Sequence, residues 1–288
     1  MKWSAGSAES EVLPGAVLED TAERWLQFGL TPIRERSGDL YAGLAVTARQ
    51  AVRDGLARDF FFMHKPPGLR IRFRPDSPEL DLLLRERLTA WRDDGVLGDW
   101  RPGVYEPETY LFGGPESMRS VHRVFTADSL AWLGHHRLRL AGHGPGPSWA
   151  MSLLLLRTLF GALQIVGWED LGVWERVRRH RPLAAAAVAD PRLARLAAAL
   201  REVWPSRAAL AAKLSPEAAE LAEDYRQVVE QEGERWFRDY FESGSAAMGP
   251  RAVASYLVIF HWNRANLPSV RQALIAEALL AREEGDAR

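Results

Sequence analysis

The stretch GLRIRFRP, Gly68 to Pro75, sets Arg70, Arg72 and Arg74 at every second position with Leu69, Ile71 and Phe73 between them. In a strand the side chains alternate between faces, so the guanidinium groups crowd one face and the apolar residues cover the other. Neighbouring guanidinium groups on that face stand roughly 7 Å apart and repel one another unless anions or solvent intervene. Two arrangements satisfy them without a ligand. The segment YEPETY also alternates, so Glu106 and Glu108 would share a face and form a cross-strand arginine–glutamate ladder; a solvated edge strand would serve as well. The third arrangement is a cationic floor that grips a carboxylate through bidentate guanidinium hydrogen bonds.

A second candidate lies near the C-terminus in SYLVIFHWNR, where His261 interrupts an apolar run from Tyr256 to Trp262 and is followed by Asn263 and Arg264. A histidine in such a run is either a hydrogen-bonded core residue or a base. A neighbouring cation keeps an imidazole neutral at pH 7 and able to accept a proton. Other polar residues carry weaker signals. His135, His136 and His143 lie near GHGPGP without acidic ligands at metal spacing, which reads as a surface loop and no metal site. Gly113-Gly114 lacks a phosphate-loop pattern. Ser129 in TADSL has no nucleophile-elbow context and reads as a cap, and Asp128 as a cap or a partner for arginine.

The elements that must position these residues change character along the chain. The first 20 residues, rich in Gly, Ser and Glu, read as a loose arm. RWLQFGLTPI, FFFMHK, LRIRFRP and the segment from Asp99 to Gly114 read as extended, and the stretches from Ser37 and from Asp76 as helices, the second opened by Ser77 and Pro78 and closed by Gly95. The order β-α-β-β-α-β predicts an α+β lobe, residues 21–114, built as a split βαβ (ferredoxin-like) unit with an antiparallel sheet. From residue 115 to 288 helical periodicity dominates, giving a helical lobe with no linker between the two. The whole of 21–288 reads as a single domain.

Composition narrows the chemistry. With 37 Lys and Arg against 38 Asp and Glu, a net charge of −1 and a pI near 6.7, no global field recruits nucleic acid or membrane. With no cysteine there are no disulfides, thiolate nucleophiles or zinc–thiolate clusters, which fits a reducing cytoplasm. AMSLLLLRTLFGALQIVGW is interrupted by Arg157 and fits a buried helix better than a membrane span. Most of the eleven tryptophans are expected in the core.

Taken in order, FFF…PPGLRIRFRP, YEPETYLFGGPESM…VFTADS and HWNR resemble the lantibiotic-dehydratase C-terminal family, also described as the thiopeptide-type bacteriocin biosynthesis domain, from about Trp25 to Leu280. The resemblance implies a bacterial, cytoplasmic lyase acting alone rather than as the tail of a full dehydratase. It would expel glutamate from glutamylated Ser or Thr of a ribosomal precursor peptide (leader plus core), leaving dehydroalanine or dehydrobutyrine. Its partner would be a separate glutamylating subunit that meets the tRNA; a homodimer is compatible. No metal or other cofactor is implied, because esterification already activates the leaving group. Carried onto this chain, Arg70 and Arg72 bind the glutamyl carboxylate or the developing oxyanion, His261 is the general base or acid, and Arg74, Arg264, Asn263 and Glu108 lie around the substrate.

One position departs from the family pattern: Leu111 stands where an arginine is expected before the aromatic-Gly-Gly, so either Arg101, Arg119 or Arg123 replaces it in space or the chain belongs to a subgroup with other chemistry. Relatives acting as pyridine synthases join two dehydroalanines by a formal [4+2] cycloaddition and release the leader peptide. In that alternative Ser255 and Tyr256 are hydrogen-bond donors. A third reading is a non-catalytic subunit that binds the leader peptide by strand addition.

Overall fold

The computed structural model describes residues 24–66, 68–188 and 190–281; the expected arm at 1–20 lies outside them. The first lobe runs β1 (Leu26–Pro32), α1 (Ser37–Arg53), β2 (Ala57–Lys65), β3 (Gly68–Pro75), α2 (Glu79–Asp93) and β4 (Leu97–Gly103). The strands form one antiparallel sheet in the order β2-β3-β1-β4, so the α+β, split βαβ expectation holds. Helices α3 (Pro115–Leu140), α4 (Ser148–Ala162), α5 (Asp170–His180), α6 (Ala185–Val188), α7 (Pro191–Val203) and α8 (Arg207–Ala211) follow. The chain then continues through α9 (Pro216–Trp236), α10 (Pro250–Arg264) and α11 (Ser269–Leu280).

Register divides the sheet into two unlike faces. Phe28, Ile71 and Phe62 stand side by side, as do Leu26, Phe73 and Phe60. This apolar face meets the two sheet-lobe helices: Tyr41 of α1 packs against Phe62, and Arg85 of α2 lies over the ring of Phe28. On the opposite face Gln27, Arg72 and Phe61 are aligned, as are Gly29, Arg70 and Met63. Here the helical lobe approaches, with Phe125 of α3 against Phe61. The period-two arginines of β3 are therefore turned toward the interface between lobes.

Helix α3 also closes one edge of the sheet. The backbone N–H groups of Phe60 and Phe62 donate to the hydroxyls of Thr126 and Ser129, at 3.0 and 3.2 Å. Ser129 is thus a cap, but of a strand edge. An open edge invites pairing with another chain, and covering it removes that hazard. The other edge strand, β4, carries Pro102, which lacks an N–H donor. Neither edge offers a full row of donors for strand addition.

Two local expectations are corrected. The segment 104–108 is not a strand: β4 ends at Gly103, and the chain continues into a 3₁₀ turn, Thr109–Phe112. Because β1 lies between β3 and β4, a ladder from the arginines to Glu106 and Glu108 does not form. His135 and His136 are not in a loop either, since α3 continues to Leu140 and buries both; His143 is exposed beyond it. No helix among the described residues is long and apolar enough to cross a membrane.

Removing one edge cap leaves a buried N–H unsatisfied, which costs about 1–3 kcal/mol. Thr126→Val and Ser129→Ala are expected to lower the stability by that amount each, read as a shift of the urea midpoint at unchanged slope. A loss below about 0.5 kcal/mol in both would show that the edge does not depend on them.

Candidate functional site

The three strand arginines share a face but not a partner. Arg74 pairs with the buried carboxylate of Asp59 at 3.5 Å, which Arg123 of α3 also reaches at 3.4 Å. Arg72, only 7 % exposed, donates through Nε to the Gln27 side chain at 2.7 Å. Its guanidinium lies over the rings of Phe61 and Tyr105, at 4.9 and 4.6 Å, where cation–π attraction replaces lost hydration. Arg70 is half-buried and has no hydrogen-bond or ion-pair partner among the described residues. Burial pulls the Arg72 guanidinium below its ordinary pKa; the fields of Tyr105 and Glu108 oppose this, while Arg70 and Arg264 add to it. Arg70, Arg72, Arg264 and Glu108 therefore lie within electrostatic reach of a common centre.

Behind that face stands a buried charge cluster. Asp128, from the middle of α3, is 1 % exposed and accepts from His261 Nδ1 at 2.7 Å and from Arg264 Nε at 2.5 Å. Burial alone would raise the Asp128 carboxyl, but the charges of His261 and Arg264 outweigh it and hold the pKa below the usual carboxylate value. Their spacing in the sequence explains the pincer: residues three apart on α10 lie on the same side of the helix, so both reach one carboxylate. Arg264 then extends over the Phe125 ring at 4.3 Å and toward Met63 Sδ at 3.6 Å, the neighbour of Arg70 in the sheet.

His261 does not line an open cleft, contrary to the expectation for a base in contact with substrate. The residue is 2 % exposed, and both nitrogens are engaged: Nδ1 is hydrogen-bonded to the Asp128 carboxylate, and Nε2 to the Ser152 hydroxyl at 2.9 Å. The order Ser152–His261–Asp128 has the hydrogen-bond pattern of a nucleophilic triad. Yet Ser152 is fully buried and its oxygen already accepts the Trp262 indole N–H at 3.1 Å. In this arrangement the imidazole is a brace between α3, α4 and α10.

The remaining expected residues are dispersed. The Ser255 hydroxyl is buried and returns to the carbonyl of Ala252 in its own helix. Tyr256 is half-buried against Phe112 and His180. Asn263 contributes its backbone carbonyl, which His64 bonds through Nδ1 at 3.0 Å; Tyr41 holds the other His64 nitrogen. Glu108 is half-buried. Leu111 is half-buried and packs against the hydrophobic core; of its possible substitutes, Arg101 pairs with Asp99, Arg119 is exposed, and Arg123 joins Asp59. Ser152, Gln27 and His136, whose Nε2 bonds the Arg264 carbonyl, were not legible as site residues. Of the two readings the sequence offered for Asp128, a cap or a partner for arginine, the structure shows the second, with Arg264 as the arginine. Among the described residues no group of His, Cys, Asp and Glu could hold a metal ion.

Residues 25–282 match the family model described as lantibiotic biosynthesis dehydratase, C-terminal. Among solved structures, the tRNA-dependent lantibiotic dehydratase MibB from Microbispora sp. 107891 aligns with a TM-score of 0.63 at 20% identity, covering 90% of this chain and 28% of that one. The chain thus spans just over a quarter of MibB, and the likeness is one of fold. The structure of TsrL aligns at 17% identity over 88% of this chain and 92% of that one, with a TM-score of 0.49. No curated protein matches the sequence.

Breaking a buried ion pair from one side costs about 3–5 kcal/mol, because the other charge is left uncompensated. Asp128→Asn should lose that much stability in denaturant melts; a loss under about 1 kcal/mol would mean the cluster is not a brace. Acid should act through the other buried imidazoles. Burial lowers His122 and His136 from 6.5 to about 3, and His135 to about 4. Below pH 6.5 the unfolded chain takes up protons that the folded chain refuses, so stability falls by roughly 1.4 kcal/mol per pH unit per imidazole. Melting temperature should drop steadily from pH 7 to pH 5, and His136→Gln should flatten that slope by about one proton. An unchanged slope would contradict the assignment.

Proposed function

Since the chain belongs to the lantibiotic biosynthesis dehydratase C-terminal family, we propose that it eliminates glutamate from glutamylated Ser or Thr of a ribosomal precursor peptide. A base removes the α-proton, the electron pair forms the Cα–Cβ double bond, the Cβ–O bond breaks, and glutamate leaves as its carboxylate. The observation that carries this reading is Arg70, a half-buried cation without a partner among the described residues, next to the aromatic-clamped Arg72. Together they offer a departing carboxylate bidentate donors in a site of low dielectric. Glu108, half-buried and within the electrostatic reach of Arg72, takes the proton in this reading. His261 acts as a positioning residue: it and Asp128 fix Arg264, which adds positive potential behind the arginines.

A second reading, cycloaddition of two dehydroalanines with release of the leader, draws support from Leu111 and from the enclosure of His261. That chemistry requires neither a second carboxylate grip nor an exposed base.

Mass spectrometry of a synthetic glutamyl-ester peptide incubated with the protein separates the two. Loss of glutamic acid is expected, abolished in Arg70→Gln and reduced by about a hundredfold or more in Glu108→Gln. His261→Gln, which keeps polar atoms near Asp128 and Ser152, is expected to retain more activity than His261→Ala. Ring closure of a bis-dehydroalanine peptide, with the glutamyl ester untouched, would replace elimination by the second reading.

A further inference from the structure

At the hairpin end of the sheet the arginine face opens into a notch of about 280 Å³, lined by Gly29, Lys65, Arg70, Asp99, Trp100 and Arg101 among others. It exists because of one glycine. Gly29 on the central strand β1 is paired with Arg70 of β3 on one side and with Arg101 of β4 on the other. With strands about 4.8 Å apart, the two arginines start about 10 Å from each other across a position without a side chain, and their long stems can close over it. A Cβ added to Gly29 would approach only the carbonyl oxygen of Arg101, at 3.9 Å, so the backbone does not require glycine for space.

The charges around the notch do not balance. Lys65 and Arg70 have no hydrogen-bond or ion-pair partner among the described residues, and Asp99 is paired to Arg101 at 3.0 Å with the Arg101 side chain 85% exposed. Three cations face one acid across a small concavity, an arrangement that an incoming anion relieves. We infer that this notch is a carboxylate subsite in which Lys65, Arg70 and Arg101 share one carboxylate group beside Gly29. It rests on the proposed reading only for the origin of that group, which is either an acidic side chain of the peptide substrate or the free carboxylate of the glutamyl group. The notch would therefore set which peptides are accepted, through Lys65 and Arg101, which the elimination step does not use, acting beside the shared Arg70.

Calorimetric titration tests this without turnover, so its failure is distinct from failure of the elimination reading. The probes are N-acetylglutamic acid α-amide, free glutamate and, as the neutral control, N-acetylglutamine amide. At low salt at least one carboxylate probe is expected to bind and the neutral control not to. Binding should weaken about tenfold in Gly29→Val, which fills the notch with a residue suited to a strand, and similarly in Arg101→Gln and Lys65→Gln. Binding of the amide assigns the notch to a peptide side chain; binding of glutamate alone assigns it to the leaving group. Either outcome supports the subsite. The absence of binding by both carboxylates, or equal affinity in Gly29→Val with an unchanged melting temperature, overturns it.

Discussion

The site depends on one buried carboxylate. Asp128 lies in the middle of α3, the helix that closes the β2 edge, and it holds both His261 and Arg264 of α10. Desolvating such a group is costly, and two charged or polar partners offset the cost only when their geometry is good. This fixes α10 against α3 and, through Arg264, against Met63 of the sheet. The lobes are thereby joined through a polar clamp rather than by apolar packing alone.

The cations around the clamp differ in their surroundings. Arg264 is sealed and serves as a fixed source of positive potential. Arg74 is neutralised by Asp59, and Arg72 is held flat by Gln27, Phe61 and Tyr105. Arg70, at the end of the row, has no hydrogen-bond or ion-pair partner among the described residues. A strand that reads as three equivalent arginines is in fact graded, from paired through clamped to open.

The sequence showed the fold well, because each element is marked by local chemistry. The period of two in β3, the Pro78 and Gly95 punctuation of α2 and the long helical periodicities all survive in the structure. The extended reading of YEPETY failed because β4 ends before it at Gly103: Tyr105 is buried against Trp25 and Phe61 without joining the sheet, and Pro107 has no N–H for a ladder. His135 and His136 were misplaced for a related reason: the Gly-Pro signals that end α3 come later than the histidines. The direction of His261 was not legible, because the partners that enclose it, Asp128 and Ser152, are more than a hundred residues away in sequence. The same distance hid Gln27 as the partner of Arg72, 45 residues removed. Gly29 carried no signal until the register placed an arginine on each side of it.

The most direct measurement is a crystal structure of the protein soaked with glutamate. A carboxylate bonded to the Arg70 guanidinium on the open face of the sheet, with the His261 ring still enclosed by Asp128 and Ser152, is the expected result. Glutamate in contact with the imidazole, or bound elsewhere while Arg70 points into solvent, would contradict a carboxylate grip on the arginine face with the histidine as its brace.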